Sequence, residues 1–264
     1  MDLLPNYRVK SPMKTAARLA AAVFTFVLAA PALAENAPTP SEADRVKAEL
    51  KKRLPEAPVD AVHKIPYGNL YEVIAGGEVL YTDDKASFLL LGNLVDLATK
   101  ENVTDTRTRQ INRVAFADLK LDQAIKIVRG NGSRKVAIFE DPNCGYCKRF
   151  ERDLAGVNDI TVYVFLYPIL SDSSMAKSKA IWCAPDRAKA WLDVMLRETL
   201  AANDGACTTP LDKNLAFGQA KRIHGTPTLI FEDGDRVPGV MAIADFEKKL
   251  TAAKNPPAKA ATAQ

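Results

Sequence analysis

Cys144-Gly145-Tyr146-Cys147 lies between an apolar run with strand character, Lys135–Phe139, and a stretch with helical character. Two cysteines separated by two residues at the start of a helix can close as a disulfide or open as a dithiol. Backbone N–H groups at the helix end stabilise the attacking thiolate. Thiol–disulfide exchange needs that thiolate, and its share at neutral pH depends on how far the surroundings lower a reference pKa near ~8.5. Lys148 and Arg149 follow directly and add positive charge to the same turn. The chemistry predicted for Cys144 and Cys147 is dithiol–disulfide exchange.

Half of a structural zinc site is the other use of such a pair, but that metal takes four ligands at short spacings. Cys183 and Cys207 are isolated, and the only histidines are His63 and His224. No metal site and no cofactor is therefore predicted. Four cysteines allow three pairings. With the C-x-x-C paired to itself, Cys183 and Cys207 close a bridge across 24 residues, around Trp191. Chain entropy assigns such a closure roughly 3 kcal/mol, a structural role. A second redox couple is the alternative, which the absence of a short-spaced partner disfavours.

The elements that must position these residues follow a clear order. Ser41 is a candidate N-cap for a charged helix through Arg53, ended by Pro55 and Pro58. From Ile65 short strands alternate with turns: 70–74, 78–82, 87–91 and 94–97, a small antiparallel meander. So small a unit buries little surface and leaves a sheet edge that pairing with a second copy would cover. Together these make an N-terminal domain over 35–110. Residues 99–111 are polar and predict a connector. A linker helix is expected over 111–130, from about Asn112 to Val128, stopped by Gly130-Asn131-Gly132. A second domain over 131–253 then runs strand (135–139), C-x-x-C helix (144–155), strand (160–166), and a helical block. A helix near 213–223, strands 228–231 and 236–237, and a helix near 242–252 close it. An Ala/Lys/Pro tail over 254–264 reads as disordered.

The N-terminus has the layout of a secretory signal over 1–34. Arg8, Lys10, Lys14 and Arg18 precede an apolar stretch, Leu19–Leu28, and Ala32-Leu33-Ala34 offers a small-residue cleavage site before Glu35. The apolar stretch is short for a membrane anchor, which wants roughly 20 residues. Met13 is an alternative start, and no later stretch reads as a span. An exported protein in an oxidising compartment is expected. The formal charge is +4, but residues 1–34 hold four bases and one acid, so the remainder is nearly neutral. Charge gives no support to nucleic acid binding.

The parallel β-α-β unit followed by a hairpin and a helix is the order of a thioredoxin-like domain. Such proteins place a cis-proline opposite the cysteine pair, and Gly225-Thr226-Pro227, about 80 residues downstream, stands where it is expected. With Cys144–Cys147, Lys179–Ala184 and Val237-Pro238-Gly239, these residues give the chain a resemblance to the DsbC/DsbG family of periplasmic disulfide isomerases, on its DsbC side. The resemblance is strong from about Lys135 to Leu250 and looser before.

It implies an α+β chain with a small cystatin-like dimerisation domain, a linker helix and a thioredoxin-like catalytic domain. It implies that Cys144 is the exposed nucleophile, Cys147, one helical turn deeper, the resolving thiol, and that Cys183 and Cys207 match the structural disulfide. Thr226 and Pro227 match the substrate-binding cis-proline loop, with Tyr146 beside it. The partners implied are misfolded or mis-oxidised secreted proteins, a second copy of the chain, and the membrane reductase DsbD; chaperone activity is implied as well. A thiol oxidant or reductase of the same fold, or a periplasmic chaperone with an idle cysteine pair, are the competing functions. His224 either approaches the sulfurs or lies exposed without effect. Thioredoxin carries a buried acid six residues before its first cysteine, where this chain has Ile138. Glu140 and Asp141 read as strand-end and turn residues, leaving Cys147 to lose its proton to water.

Overall fold

The computed structural model describes residues 40–254. The signal, with its cleavage site after Ala34, and the tail from 255 onward lie outside the described residues. Helix α1 spans Glu42–Arg53 and opens with the expected cap: the Ser41 hydroxyl accepts the Asp44 N–H while the Asp44 carboxylate accepts the Ser41 N–H. Val46 and Leu50 bury one face of α1 against a three-stranded antiparallel sheet of β1 (Val59–Lys64), β2 (Tyr71–Ala75) and β3 (Glu78–Thr82). The expected meander is shifted. Its first strand lies before Ile65, and 87–91 and 94–97 are extended segments with single bridges, Leu90 to Tyr81 and Val95 to Asn102. Beyond the one bridge to β3 and the one to Asn102, these two segments have no further strand pairing among the described residues, and Phe88, Leu90, Leu91, Val95 and Leu97 are exposed.

The linker differs from its sequence expectation. Helix α2 occupies Val103–Ile111, the stretch read as a polar connector, with Asn102 as N-cap accepting the Asp105 N–H. Residues 112–124 then form two short 3-10 turns, and β4 spans Ile125–Arg129. The reason is periodicity: Ile125 and Ile127 are buried while Lys126 and Val128 face out, an alternation of two that suits a strand. A linker helix over 111–130 is not formed.

The second sheet has the order β4-β6-β5-β7-β8. Its remaining strands are β5 (Arg134–Glu140), β6 (Ile160–Leu166), β7 (Thr228–Phe231) and β8 (Arg236–Pro238). β5 and β6 are parallel; the other pairs are antiparallel. The helices are α3 (Gly145–Leu154), α4 (Asp172–Trp182), α5 (Arg187–Arg197), α6 (Leu211–Ala220) and α7 (Ile243–Lys254). Helix α7 thus takes in Lys254, the first residue expected to be disordered. One sheet face packs Phe150, Leu154, Ile181, Trp191, Phe246 and Leu250 from α3, α4, α5 and α7. The opposite face packs Phe217 of α6, Ile223, and Val114 and Leu119 of the linker. Odd residues of β5 face the second set and even residues face α3, which fixes what lies beneath the cysteines.

Candidate active site

β5 delivers the chain to the cysteines through the short loop 141–143, and Asp141 holds that loop. Its buried carboxylate accepts the N–H groups of Asn143 (2.8 Å), Ile169 (2.9 Å) and Leu170 (3.0 Å), tying the loop to the segment after β6. Asn143 is fixed in turn: its amide donates to Ser173 (2.8 Å) and Ser174 (2.9 Å), and its oxygen accepts from Lys177 (2.6 Å). Cys144 is then the N-cap of α3, its sulfur accepting the Cys147 N–H at 3.2 Å. The cap position places a negative sulfur at the positive end of the helix.

The Cys144 thiol reaches the Thr226 carbonyl oxygen at 3.3 Å, and the Thr226–Pro227 bond is cis. Tyr146 is 66 % exposed beside the pair. Hydrogen bonding from the Cys147 thiol, with the Thr226 side chain and the backbone N–H groups of Cys147 and Tyr146, outweighs desolvation and brings the Cys144 thiol down to about 6. Cys147, one helical turn deeper, is pushed the other way: burial leads, followed by the Cys144 sulfur and the Glu140 carboxyl. Cys144 is therefore the readily ionised thiol and Cys147 is held protonated, but Cys144 is not the exposed nucleophile expected: it is only 4 % exposed, covered by its cap position and the Thr226 loop. Lys148 spends part of its charge on Glu198, at 2.8 Å, so the positive surplus expected at this turn is partly compensated. His224 is exposed and makes no hydrogen bond to either sulfur.

Cys183 and Cys207 are bonded, with Cα atoms 5.7 Å apart, joining the end of α4 to the segment before α6 and enclosing the buried Trp191. Both are remote from the cysteine turn in their hydrogen bonding, Cys207 N–H donating to the Cys183 sulfur.

Glu140 ends β5, as its strand-end reading expects, but that reading does not anticipate its enclosure. It is fully buried, with Glu151 of α3 nearby, and burial followed by the Glu151 charge raises its carboxyl well above the usual carboxylate range. Burial likewise raises Glu151, against the pull of the Trp191 indole and Arg129. The missed signal was the strand period itself: Val136, Ile138 and Glu140 share the face toward α3.

The sequence pattern described as the disulfide bond isomerase protein N-terminal domain matches residues 30–105, and that of a thioredoxin-like domain matches residues 121–254. The probable thiol:disulfide interchange protein DsbC of Bordetella pertussis is 44% identical over 215 residues, 81% of this chain and 76% of that protein. The thiol:disulfide interchange protein DsbC of Escherichia coli (strain K12) is 27% identical over 205 residues, 73% of this chain and 84% of its own. A crystal structure of a disulfide interchange protein from Neisseria gonorrhoeae superposes with a TM-score of 0.50 at 38% identity, covering 52% of this chain and 99% of that one.

Proposed function

Because the chain belongs to the DsbC family of thiol:disulfide interchange proteins, we propose that it is a periplasmic disulfide isomerase working through Cys144 and Cys147. The observation that carries this is the split between the two thiols, Cys144 lowered to about 6 and Cys147 raised, at the cap of one helix. The Cys144 thiolate attacks one sulfur of a non-native substrate disulfide. A Cys144–substrate bond forms, the substrate S–S bond breaks, and the other substrate sulfur leaves as a thiolate. That thiolate, or another in the substrate, attacks the substrate sulfur of the mixed disulfide and frees Cys144: this is isomerisation. If none does, Cys147 attacks Cys144, releasing a reduced substrate and leaving the C-x-x-C oxidised.

Thr226 and Pro227, with Tyr146, form the surface that receives the substrate backbone next to the sulfur. Cys183–Cys207 is structural. Two copies pair through the N-terminal domain, a reading supported by its exposed Phe88, Leu90, Leu91, Val95 and Leu97. The exported form begins after Ala34, its substrates are mis-oxidised or misfolded secreted proteins, and DsbD returns the C-x-x-C to the dithiol. Chaperone activity belongs to the same dimer.

The test is refolding of a scrambled multi-disulfide substrate by residues 35–264, with the mass taken on the same sample. A dimer that restores substrate activity, loses this with Cys144→Ala and accumulates mixed disulfides with Cys147→Ala is the expected result. Undiminished refolding by Cys144→Ala overturns it. A monomer that only oxidises reduced substrate identifies an oxidant instead.

A further inference from the structure

Two carboxyl side chains lie inside the apolar core beneath the cysteine helix, and thiol exchange as set out above employs neither. Glu140 ends β5, and Glu151 lies on α3 four residues past Cys147, on the same helical face. Both are shut off from solvent, Glu140 at 0% and Glu151 at 1% exposure. Ile138 of β5, Leu166 of β6, Phe231 of β7, Ile181 of α4 and Phe246 of α7 belong to the surrounding core. The charged and titratable groups acting on the two carboxyls are Cys144 and Cys147 from α3 and Arg129 from β4. Helix α5 contributes the neutral indole of Trp191, which donates to Glu151 Oε1 at 2.7 Å. Asp141 is occupied by three backbone N–H groups of its own.

Neither Glu140 oxygen accepts a hydrogen bond, and neither does Glu151 Oε2, which faces Arg129 at 3.8 Å. Two ionised carboxylates so buried and so close cannot both persist. A single proton resolves this. Glu140 as the acid donates to Glu151, and the remaining charge sits on Glu151, where Trp191 and Arg129 meet it. The Cys147 thiol lies beside Glu140: the Glu140 charge helps to raise the thiol, and the thiol as a donor pulls the Glu140 carboxyl down against its burial.

We propose that Glu140 and Glu151 share one proton and together accept a second from Cys147 when it resolves the mixed disulfide. This rests on the resolving role given to Cys147 above. Cys147 passes its proton to Glu140 while Glu140 passes its own to Glu151, so both carboxyls end neutral. The Cys147 thiolate attacks the Cys144 sulfur, the Cys144–substrate bond breaks, and the substrate leaves as a thiolate that takes a proton from water. The C-x-x-C is oxidised and the substrate sulfur reduced. Glu140 is the catalytic residue, since it meets the reacting thiol; Glu151 is a positioning residue that acts through it.

Reduced protein mixed with one equivalent of dithiobis(nitrobenzoate) releases a first thionitrobenzoate when Cys144 attacks and a second when Cys147 resolves. In the wild type the second release holds a nearly constant rate between the two ionisations of the carboxyl pair. In Glu140→Gln, and in Glu151→Gln, it slows about 100-fold at pH 7 and climbs about tenfold per pH unit as hydroxide takes over. The first release, which takes no proton from Cys147, changes far less than the second. A second release with the wild-type rate and a flat profile in both variants overturns the proposal. Loss of the first release in the wild type would instead sink the nucleophile role of Cys144. An infrared spectrum of the reduced wild type at pH 7 needs no variant: a protonated-carboxyl band is expected, and its absence overturns the shared proton.

Discussion

The sulfur of Cys144 and the carbonyl oxygen of Thr226 are 3.3 Å apart, although 82 residues separate them in the chain. The contact has a direction. The protonated thiol donates to the carbonyl; once the thiol ionises, the carbonyl loses that donor. Under the substrate-docking role proposed above for Thr226, activation of the nucleophile would free the carbonyl for a substrate N–H in the same event.

Peptide-level alkylation of the reduced protein should follow a titration of Cys144 with a midpoint near pH 6. Cys147 should stay unlabelled across the same range, since burial holds it protonated. In Cys147→Ala the leading stabilising donor is lost, and the midpoint should rise by about one unit or more.

The same lowered pKa has a consequence for stability. The unfolded thiol titrates near ~8.5, whereas the folded one titrates at about 6. The stabilisation is complete above the unfolded value and is lost as pH falls through the folded one. The melting temperature of the reduced protein, measured relative to the oxidised protein, should therefore fall as pH drops from about 8.5 to 6. A constant difference would show that Cys144 is not the group responsible.

Asp141→Ala would leave the N–H groups of Asn143, Ile169 and Leu170 without their shared acceptor. Part-buried hydrogen bonds to a charged acceptor contribute about 1.5–3 kcal/mol each, so a loss of roughly 3 kcal/mol or more is expected in urea denaturation. The first thionitrobenzoate release should slow as well, because the loop that places Cys144 is no longer anchored.

Gly218 in α6 lies against the Tyr167 ring, whose hydroxyl donates to the Ile223 carbonyl at 2.9 Å. A Cβ at 218 would fall within 2.5 Å of the Tyr167 Cζ and hydroxyl oxygen. Gly218→Ala should cost about 1–3 kcal/mol by overpacking, whereas the exposed Gly145, where an added Cβ meets nothing within 4 Å, should tolerate alanine far better in thermal melts.

Removing the bridge with Cys183→Ala and Cys207→Ala releases a closure of 24 residues. The expected loss is roughly 3 kcal/mol, read by denaturant unfolding, with the Cys144 alkylation midpoint unchanged.

Much of this was legible in the chain. β5, β6 and β7 are continuous apolar runs because both faces of the central sheet are covered. The α1 cap was readable because Ser41 and Asp44 are three residues apart, a local matter. Ile125–Arg129 was not, since its apolar residues also fit a helical face, and only the β6 partner selects the strand. Nor was the burial of Glu140. Strand alternation placed it toward α3, but its buried neighbour there, Glu151, is met by Trp191 and Arg129, remote in sequence and brought in by α5 and β4.

The Cys183–Cys207 bridge and the free Cys144 and Cys147 thiols impose opposite redox demands on one polypeptide. The bridge must be made by an oxidant while the chain matures. The dithiol becomes useful only after electrons are supplied to it. The protein is therefore a client of an oxidative folding route before it can correct other clients. A reductant of the kind proposed above must also discriminate, since Cys207 is the exposed cysteine and Cys144 the nearly covered one. Exposure alone would direct electrons to the wrong site, so recognition of the cysteine turn must direct them to the right one.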